Sequence, residues 1–426
     1  MTDYSKEREL AVCTLEEITR DGAYNNLALK NALAKNNALP VKQKAFVTEL
    51  VNGALRNLIY IDYVINRASS TPTDKMKPFI LNDLRVAVYQ ILFMDRTPNS
   101  AACVEAVTLT KKRGLAGLSG FVNGVLRSIA QADVSAWELP LDIKYSYPKW
   151  LIDYWRLSID DAWIHQMLEV NSRPPIVTIC ANTLRTNRDS LRKKLIAEGM
   201  QAEDGQLPQL DETLYISKTN DLSQSKAFES GLFHVVDESA MLAVKFLDPQ
   251  PGQFMIDVCA APGGKSFYAA YLMCNQGKII STDLYPHKIE LIKTMAGQLG
   301  INIIEASVAD AAVYNPALCG KADRLLLDVP CSGFGLVRKK PDIKYTKTMA
   351  DIDSLVKLQR EIFAACLPYV KSGGTIVYST CTVSAKENEE NVSFFMKNYP
   401  VRVTNEAQLW PGEHRDGFYI AQMVKV

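Results

Sequence analysis

"FMIDVCAAPGGKSFYAA", Phe254 to Ala270, decides the fold. A short apolar run stops at Val258, a Gly-Gly turn follows, and a helix-forming stretch begins directly after it, the order of a strand, a tight turn and a helix. Outward from it the same alternation recurs. "KIISTD", "NIIEAS", "DRLLLDV" and "GTIVYS" are short apolar runs, each separated from the next by a helix-sized stretch. That succession predicts an open parallel sheet with helices on both faces over 238–426. In such sheets ligands bind beyond the carboxyl ends of the strands. The chemistry is therefore sought where the runs stop.

The front of the chain has a different period. In "KAFVTELVNGALRNLIYIDYVINRAS", Phe46, Val47, Leu50, Val51, Ala54, Leu55, Leu58 and Ile61 recur at spacings of three and four, the stripe of a helix packed on one side. "FILNDLRVAVYQILFMD" and "FVNGVLRSIAQ" repeat the pattern, with Pro40, Pro72, Pro98 and Gly114 at expected helix ends. An all-helical bundle is expected over 1–133. The Pro- and aromatic-rich "WELPLDIKYSYPKWLIDYW" predicts a helical connector over 134–171. A small α/β module is expected over 172–237, from the β-branched "PPIVTICANTL", the amphipathic "RDSLRKKLIAEGM" and the short strands "TLYIS" and "LFHVVD".

Composition narrows the classes. The 426 residues are 47% hydrophobic and 22% charged with a net charge of +1, as in an ordinary globular chain of about three domains. The charge is uneven, since residues 1–131 carry 17 Lys and Arg against 12 Asp and Glu. Nine cysteines without a CxxC pair argue against a disulfide framework, and four scattered histidines (His165, His234, His287, His414) offer no ligand spacing, so no metal is expected. The N-terminal "MTDYSKEREL" is polar, and no run approaches the ~18 apolar residues of a membrane span. A cytoplasmic chain with reduced thiols and no membrane contact is expected.

At the strand ends, Gly263 and Gly264 allow backbone amides to approach a ligand ahead of the next helix. Asp283, about twenty residues on, is placed to accept from a ribose diol, and Asp310 and Asp328 follow at the next two strand ends. One Gly-Gly turn is usually only a turn; a turn with acids at successive strand ends describes a nucleoside-cofactor pocket. Beyond it, Cys331 ends one run and Cys381 another. A free cysteine such as Cys180 or Cys366 is ordinarily core filler, so two thiols at neighbouring strand ends ask for a reason.

"CAAPGGK" with Asp283, Asp310, "LLDVPCSGFG" and "YSTCTVSAKENE" together resemble the motifs of S-adenosylmethionine-dependent RNA cytosine-5 methyltransferases, and most closely those of the Fmu/Sun (RsmB) family, which methylates 16S rRNA at cytosine 967. The likeness covers nearly the whole chain. "NDLRVAVYQILFMDRTPNSAACVEAVTLTKKRG" and "GFVNGVLR" resemble that family's NusB-like RNA-binding domain, "SYPKWLIDYW" its connector, and "VVDESAMLAVKFLDP" the entry to its Rossmann-like methyltransferase domain. Two departures are "SVADA", where relatives often carry Gly before the acid, and Phe334, where small residues are frequent.

The resemblance implies a cofactor set of Cys259, Ala260, Ala261, Pro262, Gly263, Gly264, Lys265, Asp283, Asp310 and Asp328 around S-adenosyl-L-methionine, and a catalytic set of Cys381, Cys331, Asp328 and Lys265. Cytosine carbon 5 is a poor nucleophile until a group adds at carbon 6, a step that suits a thiolate, and a second group nearby can assist the later elimination. Physical chemistry leaves open which thiol attacks: DNA cytosine methyltransferases use the Pro-Cys position, whereas the RNA family assigns attack to Cys381 and release to Cys331. A thiolate also needs an electropositive setting, for which Lys265 and Arg338 are the nearby cations in sequence. Asp328 is placed to read the cytosine N3 and N4 edge. "TKKRG", "VRKKPDIKY" and "NTLRTNRDSLRKK" supply cations for RNA phosphates, with Lys339 and Lys340 just beyond Cys331. The expected partner is RNA, as 16S rRNA or a small-subunit precursor, with no DNA, and the expected state is a monomer. Two alternatives stand beside this reading: a cytosine-5 methyltransferase acting on tRNA or another rRNA position, and a non-catalytic RNA-binding factor of the NusB type.

Overall fold

The computed structural model describes residues 5–95, 97–218 and 222–426; the first four residues of the polar N-terminal stretch, and Arg96 within the NusB-like stretch, lie outside them. The chain forms two compact units. The first comprises the residues up to Arg173 together with Val337–Thr346, and the second comprises Pro174–Leu336 with Lys347–Val426.

The first unit is helical. Its main elements are α1 (Lys6–Asp21), α2 (Asn25–Lys35), α3 (Val41–Arg56), α4 (Leu58–Ala68), α5 (Pro78–Phe93), α6 (Asn99–Lys112) and α7 (Ser119–Gln131). Helix α1 starts where the Ser5 side chain accepts from the Arg8 amide and stops at Gly22, whose φ of 73° only glycine adopts readily. The apolar stripes close on one core that includes Val12, Leu15, Leu50, Val51, Ile61, Leu84, Val88 and Leu126. Arg8 and Asp83 are buried inside it, 3.4 Å apart, with Thr110 Oγ1 donating to Asp83 at 3.0 Å. The continuous stripe from Phe46 to Ile61 is broken between α3 and α4 at Asn57, whose side-chain amide donates to the Gly53 carbonyl and ends the first helix.

Val337–Thr346 is far from this unit in sequence and built into it in space. Asp342 accepts from the Asn25 amide at 3.2 Å, Lys344 Nζ donates to the Arg56 carbonyl at 2.8 Å, and Tyr345 O–H donates to the Leu55 carbonyl at 2.9 Å. Burial, with Arg56 nearby, pushes the Lys344 amine well below the ordinary lysine range. Arg338 and the phosphate-binding candidates Lys339 and Lys340 therefore belong to a segment that packs with the helical unit.

The second unit holds two sheets. Strands β1 (Val177–Ala181), β2 (Gln201–Asp204), β3 (Thr213–Lys218) and β4 (Phe233–Val235) form an antiparallel sheet of order β2-β3-β1-β4, packed against the helix Arg188–Ala197. Two cations of the basic stretch on that helix are engaged, Arg192 at 2.9 Å and Arg188 at 3.6 Å from Asp204. The large sheet comprises β5 (Phe254–Val258), β6 (Lys278–Asp283), β7 (Ile304–Val308), β8 (Ala322–Asp328), β9 (Val370–Thr380), β10 (Val401–Leu409) and β11 (Phe418–Lys425). Its order is β10-β11-β9-β8-β5-β6-β7.

The five runs expected as strands are β5 to β9, and they pair in parallel. The expectation of a purely parallel sheet is corrected at the C-terminus, where β11 lies antiparallel to both β9 and β10. The loop 410–417 between β10 and β11 is too short for a crossover helix, so the two must pair as a hairpin. Strand β10 is an edge with a largely exposed face, too polar to read as an apolar run. Among the described residues no helix is long and apolar enough to cross a membrane.

Candidate active site

Strand β5 delivers the glycine turn. Past Val258, Cys259 takes a φ of 61°, the Ala260 amide donates to the Thr282 carbonyl at 2.8 Å, and the Ala261 amide donates to Asp283 Oδ2 at 3.3 Å. The Ala261–Pro262 peptide is cis, and Gly263 has a φ of 106°. A Cβ on Gly263 would overlap the Phe267 ring, so only glycine fits between the turn and the helix Gly264–Leu272. That helix is braced from β4. Tyr271 O–H donates to His234 Nδ1 at 3.2 Å, which leaves the His234 Nε2–H to donate to the Gly264 carbonyl, also at 3.2 Å. Burial pushes His234 down to about 4, keeping it neutral.

Asp257 and Asp283 flank the turn, and Asp310 stands one strand further along. Asp257 is fully buried on β5, where Ser266 Oγ donates to its Oδ2 at 2.5 Å while Oδ1 has no partner among the described residues. Burial pushes this acid up to about 7 against the opposing pull of Ser266 and Lys265. Asp283 at the end of β6 is 5% exposed and accepts from the Ala261 and Tyr285 amides, with Lys288 Nζ 3.3 Å away. Leu284 and Tyr285 follow it, each half exposed, as does Val308 at the end of β7. Asp310 lies in the exposed turn after β7, accepting from the Ala312 amide at 2.9 Å and bordering a cavity of about 240 Å³ lined by Val258, Ile280 and Val308.

The thiols are set by β8 and β9. Asp328 and Ser379 are register partners, and Ser379 Oγ donates to Asp328 Oδ1 at 2.9 Å while Lys265 Nζ donates to Oδ2 at 2.6 Å. Burial opposes the Lys265 charge, but Asp328 with Asp257 and Cys381 outweighs it, so the amine keeps its proton above the usual lysine range. A few residues further along each strand, Cys331 Sγ and Cys381 Sγ stand 3.3 Å apart, both free. The hydrogen bond with Cys381, then burial, then the charges of Cys381, Glu387 and Asp328 push the Cys331 thiol well above the ordinary range. Gly335 fastens the two loops, donating to the Cys381 carbonyl at 3.1 Å and accepting from the Gly417 amide at 3.0 Å. A Cβ there would overlap Gly417. Phe334, the family departure, is a fully buried side chain whose amide donates to Thr382 Oγ1.

Sequence reasoning missed Asp257, His234 and the groups beneath the thiols. Asp257 stood inside the quoted turn motif, and Glu387 and Asn388 inside "YSTCTVSAKENE". His234 carried no signal, because its partners are contributed by a helix thirty residues away.

Residues 244–424 match the family model described as 16S rRNA methyltransferase RsmB/F, residues 5–131 match the NusB family, and residues 147–222 match a ferredoxin-like domain of RsmF/B-like methyltransferases. The sheet with its glycine turn and its row of acids is that of an S-adenosylmethionine-dependent methyltransferase. The chain is 37% identical over 400 residues to the probable ribosomal RNA small subunit methyltransferase B of Bacillus subtilis, covering 92% of this chain and 88% of the relative. It is 30% identical over 440 residues to the ribosomal RNA small subunit methyltransferase B of Escherichia coli O127:H6, covering 98% of each. The crystal structure of a protein designated PH0851 matches with a TM-score of 0.83 at 25% identity over 100% of both chains. The chain belongs to the ribosomal RNA small subunit methyltransferase B family.

Proposed function

We propose that the protein methylates carbon 5 of cytosine 967 in 16S rRNA through a covalent adduct between Cys381 and the base. The observation that carries this reading is the 3.3 Å approach of Cys331 and Cys381 at adjacent parallel strand ends, beside the Lys265–Asp328 pair.

The cradle fits S-adenosylmethionine. The orphaned buried Asp257 Oδ1, the glycine turn that no side chain can fill, and Asp283 held by two backbone amides are what a polar, nucleoside-bearing ligand requires. Backbone groups from Cys259 to Gly264, with Pro262 shaping the turn, would hold its amino-acid end, Asp283 its ribose and Asp310 its adenine. When bound it supplies an electrophilic methyl group.

Everything else falls to the chain's own side chains. The Cys381 thiolate adds to carbon 6, and the electrons of the 5,6 double bond become available at carbon 5. After methylation, loss of the carbon 5 proton to water restores the double bond and expels the thiolate at Cys381. Cys331, kept protonated, donates its hydrogen bond to that leaving sulfur. Asp328 accepts from the cytosine N4 amino group, and Lys265, donating to Asp328 at 2.6 Å, orients it for that contact. RNA binding is assigned to the helical part over 1–133, the connector over 134–171 and the α/β module over 172–237, the chemistry to the domain over 238–426, and the protein acts as a monomer in the cytoplasm.

Bisulfite sequencing of total RNA from cells with and without the gene tests the assignment. Loss of one protected cytosine, at position 967 of 16S rRNA, is expected. Loss at a tRNA or another rRNA position moves the substrate, and no change at any cytosine removes the activity.

A further inference from the structure

Beneath the two thiols lies a polar network that the reaction as written does not use. Glu387 is fully buried, yet its carboxylate is held by neutral donors: the Ser332 amide at 2.8 Å and Gln359 Nε2 at 3.1 Å on Oε1, and Ser332 Oγ at 2.5 Å on Oε2. Because Ser332 Oγ donates to Glu387, Thr382 Oγ1 donates to Ser332 Oγ across 2.6 Å. Ser332 follows Cys331 and Thr382 follows Cys381, so this chain of hydrogen bonds joins the residue after one thiol to the residue after the other. Gln359 completes the clamp by donating to the Pro330 carbonyl at 2.9 Å. Both peptide neighbours of Cys331 are thus fixed, Pro330 by Gln359 and Ser332 by Glu387.

A buried carboxylate is costly unless its hydrogen bonds are complete, and a network of this kind is worth retaining only where it fixes a geometry. We propose that Glu387 is the positioning residue of the thiol pair, holding Ser332 so that Cys331 stays within hydrogen-bonding reach of Cys381. Its charge acts in the same direction, since it is one of the groups, after Cys381 and together with Asp328, that favour the protonated form of Cys331. Burial raises the acid of Glu387 itself, while the donors from Ser332, Gln359 and Ser384 hold it down. Glu387 is fully buried and acts through Ser332. The inference rests on the thiol roles proposed above and is tested in a way that separates the two.

The test uses Glu387→Gln and Ser332→Ala, the second as a milder cut of the same link should the first fail to fold. Diamide oxidises two nearby thiols to a disulfide, and mass spectrometry of the Cys331–Cys381 peptide pair reports their approach without any methyl transfer. Both variants should form that disulfide at least tenfold more slowly than the unsubstituted protein. In turnover, kcat should fall tenfold or more with KM for RNA and for S-adenosylmethionine within twofold, and the RNA–protein adduct should accumulate. In a Cys331→Ala background Glu387→Gln should add nothing further. Unchanged disulfide formation in a folded variant overturns the proposal whatever turnover does. Slowed disulfide formation with full turnover upholds the positioning role and sinks the assignment of Cys331 to release.

Discussion

The rim of the large sheet is built on two different plans. Along β6 and β7 the acids are held by backbone amides among partly uncovered residues: Asp283 accepts from Ala261 and Tyr285, Asp310 is exposed and accepts from Ala312, and Leu284, Tyr285 and Val308 stand half uncovered. Along β8 and β9 the reactive groups rest on a closed layer of side chains, Ser332, Thr382, Gln359 and Glu387, each under 2% exposed and each hydrogen-bonded to another. A ligand that enters and leaves every cycle is served by the first plan, because few side chains must reorder when it departs. The second would serve the proposed thiol chemistry, which needs Cys331 at a fixed distance from Cys381. The contrast predicts that damage to the thiol half blocks or stalls a step of the reaction, whereas damage to the cofactor half weakens binding.

The sharpest break comes from the cysteines themselves. Cys381→Ala should leave no detectable methyl transfer and no covalent RNA complex. Cys331→Ala should still attack and methylate, but with elimination slowed, an RNA–protein adduct stable to denaturing electrophoresis should build up when S-adenosylmethionine is present. No purely structural role for two cysteines gives a trapped species from one substitution and silence from the other. The reverse pattern would exchange the two roles, and full activity in both would return the thiols to the core.

That asymmetry is also where sequence and structure part company. The strand runs, the glycine turn and the places, though not the roles, of Asp283, Asp310, Asp328, Cys331 and Cys381 were legible because each lies at or just past the end of a short apolar run, and sheet topology gathers strand ends onto one rim. The hairpin β10–β11 was not, since an edge strand with one wet face carries a weak signal. Nor were His234, which reaches Gly264 and Tyr271 across thirty or more residues, and the packing of Val337–Thr346 with the helical unit. Such contacts depend on tertiary placement, and the basic stretch "VRKKPDIKY", read as a source of cations for RNA phosphates, gave no hint that Lys344 within it would be buried on a carbonyl.

The next effect belongs to the cofactor half. Removing the Asp283 carboxylate should cost about 2–4 kcal/mol of S-adenosylmethionine binding, because a nearly buried acceptor of charge-assisted hydrogen bonds is lost. Isothermal calorimetry on folded Asp283→Ala should show Kd raised about 30-fold or more, with the Cys331–Cys381 disulfide still forming in diamide. Asp310→Ala, at an exposed turn, should cost about 1 kcal/mol or less. Equal losses at the two acids would mean that Asp283 is no more central than its exposed neighbour.

The smallest effect tests whether the cofactor half is separately braced. His234 is buried and neutral, with its acid constant held near 4 against about 6.5 in an unfolded chain. A folded value below the unfolded one means that the unfolded state binds the proton first, so the stability His234 contributes is present above about 6.5 and is lost as pH falls toward 4. Between pH 7 and 5.5 that loss is about 1 kcal/mol by linkage. Asp257, raised to about 7, and Asp83, raised to about 6, change the opposite way over this range, each favouring the folded state as it gains its proton, so the effect must be read as a difference between proteins. His234→Gln cannot take up the proton but keeps a donor for the Gly264 carbonyl. Its stability deficit relative to the unsubstituted protein, from urea unfolding, should therefore shrink by about 1 kcal/mol on going from pH 7 to 5.5. Cofactor affinity of the folded protein should show the same pH dependence in both between pH 7 and 5.5, because folded His234 stays neutral throughout that range. The rate of Cys331–Cys381 disulfide formation, corrected for thiol ionisation, should not distinguish them. A deficit independent of pH would show that His234 is not held neutral, and a thiol rate that followed the histidine would show that the two halves of the rim are one mechanical piece.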